Sequence, residues 1–383
     1  MKQPQGKSMG ALKGITVLEL AGIGPGPFCA MLLADMGARV IRIDRPEGPA
    51  GTRDDVVLRG RRSLCLDLKN PTAVEVLKRM AQQADALIEG FRPGVMERLG
   101  LGPEPLLKAN PRLIYGRMTG WGQAGPLAKR AGHDINYIAL TGALHAIGDP
   151  DRPPPPPLNL IGDYGGGGML LALGILAAVI ERANSGRGQV VDAAMVDGAA
   201  LLMAPIYGML SLGRWAPKRG ANFLDGTASF YGSYACACGG YVAVGPIEPA
   251  FFAEMLQRLG LDASSFENRM DPATWSTHKA RLAEAFLGRT RDAWAEIFAD
   301  SDGCVTPILS MAEAPSHPHI AARETFVAAH GAVQPAPAPR FSRTPSAIGA
   351  APPLRGEHGA EILAEFGFSA QEIDILVATI PPR

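Results

Sequence analysis

Two short segments of this chain place a titratable side chain just ahead of an apolar run with helical spacing. In GHDINYIALTGALHAIG, His133 and Asp134 precede Ile135, Ile138, Ala139 and Leu144; in NLIGDYGGGGMLLALG, Asp163 stands before four glycines and a leucine-rich stretch. A helix start leaves backbone N–H groups unpaired and carries the positive end of the dipole, so both places can hold or create charge. The ordinary role of either aspartate is an N-cap. Four glycines waste conformational entropy at a helix start unless something must approach the backbone closely, which favours a functional reading of Asp163. A neutral imidazole and a carboxylate on opposite sides of a substrate carbon can remove a proton from one face and return one on the other. A thioester α-proton lies on the order of ten or more pK units above either base, a gap of roughly 14 kcal/mol or more. Helix N-termini and glycine N–H groups aimed at the thioester oxygen would narrow it by stabilising the enolate. The same dipole weakens Asp163 as a base unless burial offsets it.

These residues need a scaffold, and the N-terminal half reads as one. Residues 15–20 (ITVLEL), a glycine-rich turn, 28–37 and 39–44 (RVIRID) give strand, turn, helix and strand. Further strands are expected at 86–89, after a helix over 72–82, and at 113–117. Strands alternating with helices predict a doubly wound, Rossmann-like parallel α/β sheet in a large domain over 1–195. Its turn is a poor dinucleotide fingerprint: the third glycine position holds Pro27, and Pro25 and Pro27 lack the N–H groups a pyrophosphate needs. It reads as a tight turn at the edge of some other cleft. Five prolines, 153–157, make an extended connector. A buried helix over 169–183, a strand over 189–194 and a helix over 195–212 follow. A linker over 196–229 leads to a smaller α+β domain over 230–330, with a hairpin at 234–245 and helices near 251–259 and 279–287. A proline-rich arm and a C-terminal segment, 331–383, return to the large domain.

Composition excludes several classes. The 383 residues are 47% hydrophobic and 19% charged, which is globular rather than disordered. Lys plus Arg and Asp plus Glu both total 37, so no basic excess holds a nucleic-acid backbone. The longest uncharged apolar stretch, 165–180, is short of the ~20 residues of a membrane span. The start MKQPQGKSMG lacks a long apolar core, and five scattered cysteines make no disulfide scaffold, so a cytoplasmic setting is expected. No nucleophile elbow, P-loop or H-E-x-x-H is present. Cys236 and Cys238 read as packing residues on one strand face, and no metal site is expected, His317 and His319 included.

A longer set of motifs carries a resemblance. ITVLELAGIGPGPFCAMLLADMGARVIRIDRPEG, RGRRSLCLDLK, EGFRPGVMERLGLG, GRMTGWGQAGP, GHDINYIALTGALHAIG, PPLNLIGDYGGGG, GQVVDAAMVDG and YVAVGPIEP resemble the class III CoA-transferase family, and within it the α-methylacyl-CoA racemase branch. The branch-specific parts are GHDINY, NLIGDYGGGG and the glutamate of PIEP. The resemblance implies an acyl-CoA 2-epimerase in which His133 and Asp163 are the acid/base pair and Glu248 supports His133. It implies an interlocked homodimer in which the large domain of one subunit meets the small domain of the other at the active site. For CoA, which is part of the substrate rather than a separate cofactor, it implies contacts from Ile23, Arg45, Arg59, Lys69, Gly90, Arg92, Arg98, Asp134, Tyr137 and Asn159. Planar arginine forks suit its phosphates. The chain departs from the usual pattern at Ala235, Cys238 and Gly240, and in carrying Pro246 two residues before Glu248.

The alternative within the same fold is a CoA transferase in which Asp163 attacks a thioester and carries the acyl group as an anhydride. His133 argues against it, since a nucleophilic path needs no second base. A non-catalytic acyl-CoA-binding protein is the alternative outside enzymology. The acyl chain is open: a branched fatty acid, a sterol side chain or an aryl-propionyl group would suit a pocket lined by adaptable methionines such as Met203, Met209 and Met255.

Overall fold

The opening βαβ unit is β1 (Thr16–Leu20), α1 (Pro25–Asp35) and β2 (Arg39–Asp44). The structure, a computed structural model, describes residues 10–47 and 50–378. β3 (Arg61–Cys65), α2 (Pro71–Ala81), β4 (Ala86–Glu89), the short helices α3 (Val95–Arg98) and α4 (Pro103–Ala109), and β5 (Ile114–Thr119) follow. Next come α5 (Asp134–Leu140), a π-helical segment (Leu160–Met169), α6 (Leu170–Ser185), β6 (Val190–Ala194) and α7 (Met195–Leu202). The six strands pair in parallel in the order β3-β2-β1-β4-β5-β6. Strand order therefore reverses between β1 and β4, and the crevice beyond their carboxyl ends is where such sheets bind ligands.

Local chemistry explains the element ends. In α2 the Asn70 side chain accepts from the Thr72 N–H, Pro71 supplies a pre-set first φ, and Lys78 and Arg79 lie in the last turn. β3 has no counterpart in the sequence reading, because RRSLC carries two arginines and a serine. Arg61 is nonetheless fully buried, its Nε 2.5 Å from Glu19 Oε2 on β1. Asp44, at the end of β2, accepts from Arg42 Nε at 2.9 Å and Ser63 Oγ at 2.6 Å.

The helix read over 195–212 is two helices. α7 stops at Leu202, and α8 (Ala204–Ser211) begins afresh with Pro205 in its first turn, since proline cannot donate within a continuing helix. The chain divides here into two compact units: one of residues up to Thr141, Pro157–Leu202 and from Ala321 on, the other of Gly142–Pro156 and Met203–Ile320. Residues 142–156 thus fall in the second unit rather than in the large domain. The Arg219 guanidinium holds them by donating to the carbonyls of His145, Asp149 and Arg152.

The second unit contains an antiparallel sheet of β7 (Gly232–Ala235), β8 (Tyr241–Val244) and β9 (Val305–Pro307), with α9 (Pro249–Leu259), α10 (Pro272–Phe286) and α11 (Arg291–Ile297). Its core is aromatic: Phe230, Tyr234, Phe252, Trp275, Phe286 and Trp294. Met255 is fully buried there, which removes it from the methionines available to a substrate. β7 ends before the cysteines, so Cys236 is buried while Cys238 is exposed on the turn; the two do not share a packed face.

After α12 (Pro318–Ala322), β10 (Phe326–Ala329), which the sequence reading places at the end of the small domain, pairs in a hairpin with β11 (Ala332–Pro335) at the start of the proline-rich arm, and α13 (Gly359–Glu365) and α14 (Ala370–Ala378) follow. Ile362, Leu363 and Phe366 join Leu18, Ile41, Leu64, Leu87 and the α2 residues on one face of the parallel sheet. The other face buries Val17, Val40, Ala86 and Ile114 against Cys29 and Leu33 of α1 and Leu171 and Ile175 of α6. Each such side chain contributes roughly 1.5–3 kcal/mol of transfer free energy. The helical run Leu160–Ser185 is long and apolar enough to cross a membrane by length and composition, because it extends through Asp163 beyond the stretch counted in the sequence. Leu171, Ala172, Ile175 and Ala178 of this run are buried within the same core.

Candidate active site

Asp163 lies in the first turn of the π-helical segment, of which Asn159 is the N-cap. Asn159 Nδ2 donates to Asp163 Oδ2 at 3.1 Å. Burial holds the Asp163 carboxyl above its ordinary pKa; the Asn159 hydrogen bond opposes that, the Asp134 charge adds to it, and the His133 charge opposes it more weakly. Gly24, in the turn before α1, has φ +68°, and a Cβ there would come within 3.4 Å of Asp163 Oδ2. The turn read as the edge of an unspecified cleft thus edges Asp163.

His133 is exposed and is the N-cap of α5, with extended φ and ψ; its N–H donates to Asn136 Oδ1 at 3.0 Å. Its neighbour behaves differently from expectation. Asp134 is 5% exposed, and its Oδ2 accepts from the N–H groups of Gly162 at 2.6 Å and Asp163 at 2.8 Å. The carboxylate caps the neighbouring segment rather than its own helix. Those two N–H groups are unavailable to a thioester oxygen.

The four glycines do admit a close approach, but by helices. A Cβ on Gly166 would lie 2.6 Å from Ala199 N, on Gly167 2.9 Å from Met195 Cγ, and on Gly168 2.8 Å from Phe28 Cδ1 and the Pro25 carbonyl. Conversely, a Cβ on Gly198 of α7 would fall 1.8 Å from the Gly166 carbonyl oxygen. The glycines let α1 and α7 press on the π segment and so fix Asp163.

Of the residues expected to hold CoA, Ile23, Arg45, Lys69, Gly90 and Arg92 lie in the loops that follow the carboxyl ends of β1, β2, β3 and β4. Ile23 is 86% exposed; Arg45, Lys69, Arg92 and Arg98 are exposed cations, Lys69 with Glu47 3.8 Å away. Arg59 is placed differently. It is 2% exposed, and its guanidinium is taken up by Asp35 at 3.0 and 2.6 Å, Gln334 Oε1 at 2.7 Å and the Pro335 carbonyl at 3.0 Å. It ties α1 to β11. Tyr137 is buried against Trp121, and its hydroxyl donates to the Gly132 carbonyl.

The sequence reading missed the brace behind this crevice. Glu89, the last residue of β4, and Arg117 of β5 are register partners bonded at 3.0 Å, and Glu89 Oε2 also accepts from the Phe91 N–H at 2.7 Å. Opposite charges on two adjacent strands were the available signal. In the second unit, Glu248 is the exposed N-cap of α9, and its charge bears on Arg269, which donates to the Ile247 carbonyl at 2.6 Å.

Comparison with known proteins follows the same lines. The model of CoA-transferase family III matches residues 12–359. The chain is 48% identical over 364 residues to the alpha-methylacyl-CoA racemase of Mus musculus, covering 94% of this chain and 95% of that protein. It is 47% identical over 367 residues to the Homo sapiens protein of the same name, covering 95% of each. Among solved structures, a CAIB/BAIF family protein from Brucella suis superposes with a TM-score of 0.78 at 28% identity, over 93% of this chain and 99% of that one.

Proposed function

The chain belongs to CoA-transferase family III, and from that premise we propose that it is an acyl-CoA 2-epimerase, interconverting (R)- and (S)-2-methylacyl-CoA thioesters. The observation that carries this reading is a carboxyl strengthened as a base by burial, Asp163, within electrostatic reach of a second proton carrier, His133, on a different element. Asp163 takes the α-proton of one epimer, the electron pair moves into the thioester carbonyl as an enolate, and His133 returns a proton on the other face. The reverse reaction exchanges the roles. Each pK unit by which burial raises Asp163 narrows the gap to the carbon acid by ~1.36 kcal/mol. CoA lies in the crevice beyond β1 and β4, its phosphates met by Arg45, Lys69, Arg92 and Arg98, with Ile23 and Gly90 lining its path. Two copies interlock, so that the second unit of one brings Glu248 to His133 of the other and stabilises the imidazolium. Transfer of CoA through an Asp163 anhydride is the family-level alternative, and it leaves His133 without a task.

Incubation of one pure epimer of a 2-methylacyl-CoA in deuterium oxide tests the reading. The expected product is racemised at C2 and carries one deuterium there. Movement of CoA to a free carboxylic acid, with C2 unexchanged, would overturn it.

A further inference from the structure

We propose that Asp134 is a positioning residue for Asp163: its carboxylate clamps the first turn of the π segment, and its negative charge cancels the helix-end field that would otherwise weaken Asp163 as a base. The inference rests on the proton-transfer reading above. The clamp is geometric. Asp134 Oδ2 receives the N–H groups of both Gly162 and Asp163, and a Cβ on Gly162 would sit 2.7 Å from that oxygen, so a larger residue there would push on the clamp. Asp134 Oδ1 is buried without a hydrogen-bond partner among the described residues, so the hydrogen bonds shown for this carboxylate run to the turn that carries Asp163.

The electrostatic consequence follows from what surrounds Asp163. A helix start with free N–H groups favours the ionised carboxylate and makes it a poor proton acceptor. Here the two N–H groups nearest Asp163 are matched by a formal negative charge. The groups facing Asp163 are His133, Asp134 and the buried Tyr137 from α5, and Asn159 from its own segment. α1 and α7 meet the segment through Pro25, Phe28, Met195, Gly198 and Ala199, which carry no charge. Asp134 is therefore the one like charge set against the cationic form of His133 among these groups, and it acts in the same direction as burial.

Asp134→Asn separates the clamp from the charge, because the amide oxygen can still accept both N–H groups while the –NH2 occupies the place of Oδ1. With the epimer for which Asp163 is the base, deuterium exchange followed against pH should keep its shape while the acid limb moves down by about one pH unit. Exchange at neutral pH should fall, as expected of a weaker base. Asp134→Ala should lose the clamp as well, and Asp134→Glu should not restore the wild-type profile, since its longer side chain meets Gly162. An unmoved acid limb in a folded, exchanging Asp134→Asn protein would overturn the inference and leave the epimerase reading standing. Absence of any exchange by the wild type would instead sink the epimerase reading. If Asp134→Asn does not fold, an infrared carboxyl titration of the wild type, with the Asp163 band assigned by Asp163→Asn, decides: a midpoint at or below the ordinary aspartate value overturns the proposal.

Discussion

At the scale of residues, the structure separates buried, paired arginines from exposed ones. Arg59, Arg61 and Arg117 are buried and paired with Asp35, Glu19 and Glu89, whereas Arg45, Arg92 and Arg98 are exposed around the crevice. The sequence could not sort them, since each pairing joins residues tens of positions apart. Removing one partner of a buried pair leaves the other charge uncompensated, at a cost of about 3–5 kcal/mol. Arg59→Ala is therefore expected to lower Tm strongly, with whatever folds retaining its KM for acyl-CoA. Arg92→Ala should leave Tm unchanged and raise KM. Thermal melts and steady-state kinetics on both proteins check this, and an Arg59→Ala protein of native stability with a raised KM would return Arg59 to the ligand set.

At the scale of elements, legibility depended on whether a segment declared its own period. β1, β2, β4, β5 and β6 are apolar runs bounded by turn residues, and their positions could be read to within a residue or two. β3 could not, because its burial depends on Glu19 of another strand. GHDINY and NLIGDYGGGG could be read as helix starts, but that the Asp134 carboxylate caps the other segment, and that helices rather than a ligand fill the glycine surface, required the packing. The glycine contacts give a sharp contrast. Gly198→Ala would drive a methyl group into the Gly166 carbonyl 1.8 Å away, so it should fail to fold or lose several kcal/mol. Gly208 in α8 has nothing within 4 Å of its Cβ, and Gly208→Ala should be neutral or stabilise by ~0.5–1 kcal/mol. Chemical denaturation of the pair tests the claim, and equal stabilities would contradict it.

At the scale of the molecule, the doubly wound sheet was legible from alternating strand and helix patterns, while the partition into units was not. Residues 142–156 read as part of the large domain because nothing in them announces Arg219 as their anchor, and the last sixty residues rejoin the first unit through Arg59, β11 and α13. Leu173, Ile180, Leu201 and Leu202 on α6 and α7 are exposed, as the proposed dimer would require of a surface it covers. An interlocked dimer should persist in sedimentation at nanomolar concentration and dissociate only on unfolding. A folded, active monomer would remove that part of the proposal.

The central claim is that His133 and Asp163 each serve one face of the same carbon. Deuterium exchange at C2, measured on each pure epimer with His133→Ala and with Asp163→Asn, tests it most directly. The His133→Ala protein should exchange the epimer presented to Asp163 with retention and lose net inversion, and the Asp163→Asn protein should exchange the opposite epimer. Equal exchange of both epimers by the His133→Ala protein would show that one residue or a water serves both faces, and would contradict the two-base mechanism.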